Sequence, residues 1–144
     1  SLYSKIAKIL GLTRGYSLIA VGGGHLGQAL ARDVRFEQRG FFFRALFDID
    51  PLLIGTFVNG IEVLSADALE NYVKENPVDI AALTLPNRES AERSLERLVD
   101  CGVKAIWNFS HVDLDLSAYP NVVVENVHLT DSLMMLSYKL ETGS

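Results

Sequence analysis

Short, nearly continuous apolar runs alternate along this chain with longer segments whose apolar residues recur at helical spacing. Leu2, Ile6, Ile9 and Leu10 form a helical stripe that stops at Gly11, a residue suited to a helix C-terminus. Leu18–Val21 is an unbroken apolar run and reads as a buried strand. A helical pattern through Leu26, Ala29 and Leu30 follows and runs to about Gln38, before Gly40. Phe41–Phe47 reads as a second strand, closed by Asp48. Between Gly55 and Leu64, two β-branched stretches flank Asn59-Gly60, a pair that favours a type I′ hairpin turn. Ser65 is placed to cap a helix to about Asn76, with Asp67 in its first turn. Val78–Leu85 is a third apolar run, interrupted by Asp79 and closed by Pro86; Asn87 caps a helix to about Cys101. Val103–Phe109 and Val122–Val127 supply two more strands. This alternation predicts an α/β fold with a doubly wound, mostly parallel sheet and a ligand crevice at the strands' C-terminal ends.

The last helical segment, about Thr130 to Glu141, has a different pattern. Leu133, Leu136 and Leu140 mark one face, and Met134, Met135 and Tyr138 mark much of the rest. Ser137, Lys139 and Glu141 are the polar remainder. A helix apolar on most sides needs partners on most sides, whereas docking within one domain normally buries a single stripe. The expectation is a homodimer held through residues 130–141.

Composition narrows the choices. At 144 residues, the chain suits one domain with one core. Thirteen basic against eighteen acidic side chains give a net charge of −5, the wrong sign for a polyanion-binding surface, and no basic stripe stands out. No apolar run reaches membrane-spanning length and no charged-then-apolar leader opens the chain, so a cytoplasmic location without membrane contact is expected. The single Cys101 excludes an internal disulfide and reads as a structural thiol. His25, His111 and His128 have no metal-ligand spacing, so no metal is expected. Glu89, Glu92, Arg93, Glu96 and Arg97 read as one solvated helix face.

The chemistry is concentrated in Gly22-x-Gly24-x-x-Gly27, which sits between the first strand and its helix. This is the dinucleotide-binding fingerprint of Rossmann domains in the context it requires. Gly22 permits the tight turn, Gly24 lets a pyrophosphate approach bare backbone, and Gly27 lets the helix pack close to the sheet. Amides at the helix start, with the positive end of its dipole, hold the phosphates. Asp48, a little over 20 residues further on at the end of the next strand, is placed to accept hydrogen bonds from an adenosine ribose. Asp48 and Asp50 would repel a 2′-phosphate, so the expected cofactor is NAD(H). Gly23, His25 and Leu26 within the loop, and Ile49 beside Asp48, complete this part of the candidate cofactor-binding set. His25 faces either the cofactor or only water.

The ordered set of segments resembles a known family. It comprises Val21–Leu30, Arg39-Gly-Phe41, Phe47-Asp-Ile-Asp-Pro51 with Ile54-Gly55, Thr84-Leu-Pro86, Gly102–Phe109, Val124-Glu-Asn-Val127 and the hydrophobic C-terminal helix. Together these are similar to the Rex family of redox-sensing transcriptional repressors. The resemblance implies a homodimer with an N-terminal winged-helix DNA-binding domain and a C-terminal Rossmann domain. It implies that NADH binds more tightly than NAD⁺, closes the dimer and releases operator DNA, and that the C-terminal helix is swapped between protomers. It places Thr84, Leu85, Pro86, Asn108 and Phe109 on the nicotinamide side. It also divides the chain into a linker remnant (1–12), an NAD(H)-binding domain (13–128) and a dimerisation helix (129–144). The winged helix has no counterpart here, so operator DNA would be reached only through that part of the protein.

Two positions depart from the family. Asp33 stands where many members carry Tyr, and His128 where many carry Asp; those two side chains meet across the dimer in the family. A carboxylate and an imidazole could pair in the same way, as an inter-subunit switch sensitive to pH near neutrality. His111 follows Phe109-Ser110, where members often carry a smaller pair. No catalytic residue is expected. An NAD-dependent dehydrogenase would need a substrate domain and a proton-transferring group by the nicotinamide, for which only His111 offers itself. A CoA-binding domain of the acyl-CoA ligase type shares the glycine-rich turn, but CoA's 3′-phosphate would meet Asp48 and Asp50.

Overall fold

The computed structural model describes residues 2, 15–110, 113–127 and 129–143. The expected helix of residues 2–10 lies almost wholly outside the described residues, as do His111 and His128.

Seven strands form one sheet: β1 (Tyr16–Val21), β2 (Phe41–Asp48), β3 (Phe57–Val58), β4 (Ile61–Ser65), β5 (Ile80–Leu83), β6 (Ala105–Asn108) and β7 (Val123–Asn126). Their order is β3-β4-β2-β1-β5-β6-β7. All pairs are parallel except the β3–β4 hairpin, where Asn59 and Gly60 take φ of 52° and 78°, as a type I′ turn requires. The helices are α1 (His25–Arg32), α2 (Arg35–Gln38), α3 (Leu69–Glu75), α4 (Arg88–Asp100) and α5 (Leu129–Thr142). This is the doubly wound α/β sheet that the apolar runs predict.

Caps sit where the sequence places them. The Ser65 hydroxyl accepts from the Asp67 N–H at 3.2 Å ahead of α3, and the Asn87 carbonyl oxygen accepts from the Ser90 N–H at 2.8 Å ahead of α4. The core lies on both faces of the sheet. Ile19, Val21, Phe47 and Leu83 meet Leu69, Leu95 and Leu98 of α3 and α4 on one face. Ala20, Leu46, Val63 and Ala82 meet Leu30 and Ala31 of α1 on the other. Asp79, the charge that interrupts the β5 run, takes the Ser17 N–H on Oδ2 at 2.9 Å and gives its own N–H to the Ser17 hydroxyl at 3.0 Å, bracing β1 against β5 at the sheet's lower end.

Three features differ from expectation. The helix after the glycine loop does not run unbroken to Gln38. It stops at Arg32, because the Asp33 carboxylate bonds the Arg35 N–H at 3.0 Å and restarts the helix as α2. The β1–β2 register shifts between Leu18, opposite Phe43, and Ile19, opposite Ala45. Arg44 is left as the bulged residue and turns outward, with its guanidinium 5.3 Å from the centre of the Phe42 ring. Finally, Arg97 does not belong to a purely solvated face of α4. It reaches α3, where its Nε meets Glu70 Oε2 at 2.7 Å and its guanidinium also donates to the Ala66 carbonyl at 2.6 Å. This pairing holds the Glu70 carboxyl below the usual range. Cys101, just past α4, is half-buried, and burial pushes its thiol up.

α5 extends slightly beyond the expected span at both ends. Leu133, Met135, Leu136, Tyr138 and Leu140 are all exposed, Leu140 by 77%.

Candidate nucleotide-binding site

The strand register puts the upper ends of five strands in one row. Phe47 pairs Val21, Val21 pairs Leu83, Leu83 pairs Asn108, and Asn108 pairs Asn126. Gly22, Asp48, Thr84 and Phe109, each one residue past that row, therefore line one edge of the sheet. Strand order reverses between β1 and β5, and such a switch point is where open α/β sheets bind ligands.

Sterics fix the glycine loop. Gly22 has φ of +112°, and a Cβ there would lie 2.5 Å from Thr84 Oγ1. A Cβ on Gly27 would run into the Gly22 carbonyl oxygen, so any other residue would push α1 off the loop. A Cβ on Gly24 would meet nothing within 4 Å. The middle glycine thus faces open space, as close approach by a ligand requires. Gly24 also caps α1 without any side-chain hydrogen bond to the first turn.

Asp48 sits beside this loop. Its Oδ2 accepts the Gly23 N–H at 2.5 Å and its Oδ1 accepts the Asp50 N–H at 2.8 Å. A carboxylate has about four lone-pair positions, so roughly two remain for sugar hydroxyls. Asp48 is half-buried, and neighbouring Ile49 is 84% exposed, an apolar side chain open to a flat ring. Asp50 is occupied by the Leu52 N–H at 2.9 Å. His25 is exposed at the start of α1, while Leu26 is half-buried and packs toward the core.

The residues past β5 and β6 do more bracing than the sequence suggests. The Thr84 hydroxyl donates toward the Gly22 carbonyl at 2.6 Å, with Val21 O at 3.1 Å, and so ties β5 to the glycine turn. Asn108 is only 1% exposed, and its amide serves its neighbours. Nδ2 donates to Asn126 Oδ1 at 2.8 Å, while Oδ1 takes the Ser110 N–H at 3.0 Å and hydroxyl at 2.5 Å. Phe109 lies 4.6 Å from Trp107, ring centre to ring centre, on the α1 face. Leu85 packs against the core on the opposite face. Pro86 is exposed. Leu85 and Phe109 therefore flank the crevice from two sides and do not form one wall.

Asp33 sits outside this edge, at the end of α1. Its carboxylate holds the Arg35 guanidinium at 2.6 Å, and that contact with the Arg35 N–H lowers its pKa to about 2. Its expected partner His128 lies outside the described residues.

Two participants were not legible beforehand. Gln28 donates its side-chain amide to the Gly23 carbonyl at 2.9 Å, and Asn126 holds Asn108. Gln28 follows the third glycine directly, and Asn126 occupies the same register row as Asn108; both signals exist only once loop and sheet are aligned. Among the described residues, no group of His, Cys, Asp and Glu is arranged to hold a metal ion, and no helix is long and apolar enough to cross a membrane.

Comparison with known proteins agrees with this geometry. Residues 13–112 match the CoA binding domain family. The redox-sensing transcriptional repressor Rex of Caldanaerobacter subterraneus subsp. tengcongensis is 45% identical over 139 residues, covering 96% of this chain and 61% of that protein. Crystal structures of RSP, a Rex-family repressor, are 42% identical. The complex with β-NADH matches with a TM-score of 0.88 over 99% of this chain and 67% of that one. The complex with β-NAD⁺ and operator DNA matches with a TM-score of 0.87 over 99% and 64%. The chain thus spans about three fifths to two thirds of these proteins. They are repressors and not dehydrogenases.

Proposed function

We propose that this chain, which belongs to the Rex family of redox-sensing transcriptional repressors, is the nucleotide-sensing portion of such a repressor and reads the NADH/NAD⁺ ratio as a homodimer. The observation that carries this reading is the open loop at Gly24 beside a half-buried Asp48 with acceptor capacity to spare. Phosphates rest on the loop amides and the adenosine ribose on Asp48. The nicotinamide extends toward Thr84–Pro86 and Phe109. The reduced ring is neutral and the oxidised ring cationic, so apolar surroundings from Pro86 and Phe109 favour NADH.

Switching needs a second state that NADH binds better than NAD⁺ does. In this reading the second state is a different dimer geometry, and NADH draws the dimer into the form that leaves operator DNA. The DNA contact belongs to the whole repressor, acting in the cytoplasm. α5 supplies the dimer contact. Its exposed apolar side chains need cover, and Leu18, Phe36, Phe41 and Trp107 on the α1 face line an apolar cavity of about 410 Å³ that could receive such a helix from a second copy.

Titration with NADH and with NAD⁺, followed by quenching of the single Trp107, tests the sensor. NADH is expected to bind more tightly. Asp48→Ala should weaken NADH by at least about tenfold, because it removes the sugar acceptors and strands the Gly23 N–H. Equal affinities, or an unchanged Asp48→Ala variant, would overturn the reading.

The match to the CoA binding domain family favours one second reading, with CoA as the ligand. CoA carries a ribose 3′-phosphate that would sit against Asp48 and Asp50. Displacement of bound NADH by CoA at comparable concentration would move the assignment there.

A further inference from the structure

Gly23 and Gly24 present four backbone groups to the loop, and three have a partner within the chain. The Gly23 N–H goes to Asp48. The Gly23 carbonyl accepts the Gln28 side-chain amide at 2.9 Å, and the Gly24 carbonyl accepts the Gln28 backbone N–H at 3.0 Å. Gln28 therefore holds two successive peptide units by their carbonyl ends.

A trans peptide points its N–H and C=O in opposite directions. With both carbonyls turned toward Gln28, the N–H groups of Gly24 and His25 turn the other way, into the crevice. The second of these bonds is ordinary helix geometry, available to any residue. The first depends on the side chain, because only an amide N–H or another donor can face the Gly23 carbonyl. Left unpinned, the 23–24 peptide joins two glycines, the pair of residues freest to rotate. Rotated over, it would present a carbonyl oxygen where an anion should sit.

We infer that Gln28 is a positioning residue for the nucleotide's diphosphate, setting the Gly23–Gly24 peptide with its N–H outward before ligand arrives. This rests on the nucleotide-binding assignment above and specifies how that site selects an anion. The effect belongs to the phosphates alone: Gln28 is held to the loop and makes no bond to Asp48, so the sugar contact does not depend on it.

The test uses ADP-ribose, which carries the diphosphate and remains stable in mild acid, and adenosine, which carries none. Gln28→Met keeps length and helix preference but removes the donor. ADP-ribose measured by calorimetry should weaken by about fivefold, the worth of one net hydrogen bond, while adenosine measured by NMR titration stays as in the wild type. Gln28→Glu places a carboxylate against a carbonyl at neutral pH and should weaken ADP-ribose further. Measured relative to the wild type at the same pH, its affinity should recover as pH falls toward the ordinary glutamate range near 4.3, where the protonated acid again donates. Unchanged ADP-ribose affinity in Gln28→Met, or equal losses for ADP-ribose and adenosine, would overturn the inference. If the wild-type chain binds neither NADH nor ADP-ribose, the sensor reading itself fails and this inference falls with it.

Discussion

The glycine loop and helix α5 are both conspicuous in the sequence, and they behave in opposite ways. Almost every group in the loop has a partner within its own chain. Gly22 is locked by Thr84, Gly23 by Asp48 and Gln28, and Gly27 by the Gly22 carbonyl that it must clear. What stays open is the small set of amides that a ligand would use. α5 presents Leu133, Leu136 and Leu140 to solvent, each more than half exposed among the described residues. A segment finished by its own chain can be shaped for a small ligand in advance. A segment left apolar and uncovered needs another protein surface, and its geometry is free to change when that surface moves. Under the proposed function, conversion of nucleotide binding into a change of assembly needs one region of each kind.

Breaking the finished region should have the largest effect. Gly27→Val forces a branched side chain against the Gly22 carbonyl, and should cost about 3 kcal/mol of stability and abolish detectable NADH binding. Thermal unfolding and an NADH titration on the same preparation check both. Unfinished α5 should respond in the reverse manner. Removing residues 129–144, or changing Leu136→Asp, should convert a dimer to a monomer by size exclusion. The unfolding midpoint should also lose its dependence on protein concentration, because only a folded dimer gains stability by mass action. A variant that stays dimeric would assign the dimer contact elsewhere.

A smaller effect separates the sheet's scaffold from both regions. Arg97 keeps the Glu70 carboxyl below its ordinary value of 4.5. A lowered folded-state value adds stability above the unfolded pKa, which is lost as pH falls through the folded one. Wild type should therefore exceed Arg97→Ala at neutral pH by less than about 1 kcal/mol, because the pair is partly solvated, and the gap should narrow as pH drops below about 4.5. Urea unfolding at several pH values measures it.

The smallest effect concerns Asp33. With its pKa near 2, this carboxylate is charged throughout the neutral range, so only an imidazole partner could titrate there. If Asp33 leaves Arg35 for His128 of the partner subunit in the NADH form, the NADH/NAD⁺ affinity ratio should drift between about pH 6 and 8, and Asp33→Asn should flatten it. A wild-type ratio that is already flat assigns Asp33 to capping α2 and nothing more.

The architecture was readable because near-continuous apolar strands and helical stripes repeat at fold length, and because each boundary carried a residue with one local job: Ser65, Asn59-Gly60, Asn87. The three glycines and Asp48 were readable for the same reason, since the fingerprint encodes sterics that any such loop must satisfy. Contacts set by register were less legible. Asn108, on the expected nicotinamide side, is buried and holds Asn126, a pairing that exists only once β6 and β7 are aligned. Arg44 turned out to mark a bulge, and Arg97 crosses to another helix. Asp33 reads as a helix interior residue by spacing, but its short carboxylate bonds the backbone two residues on and ends the helix.

The half-buried thiol of Cys101 has a consequence for what kind of signal such a domain registers. Peroxide and disulfide exchange act on thiolates; an ordinary thiol is already mostly protonated at neutral pH, and burial pushes this one further from the reactive form. Slow oxidation is therefore expected at Cys101, in contrast to the quick, reversible exchange of nucleotide proposed for the glycine loop.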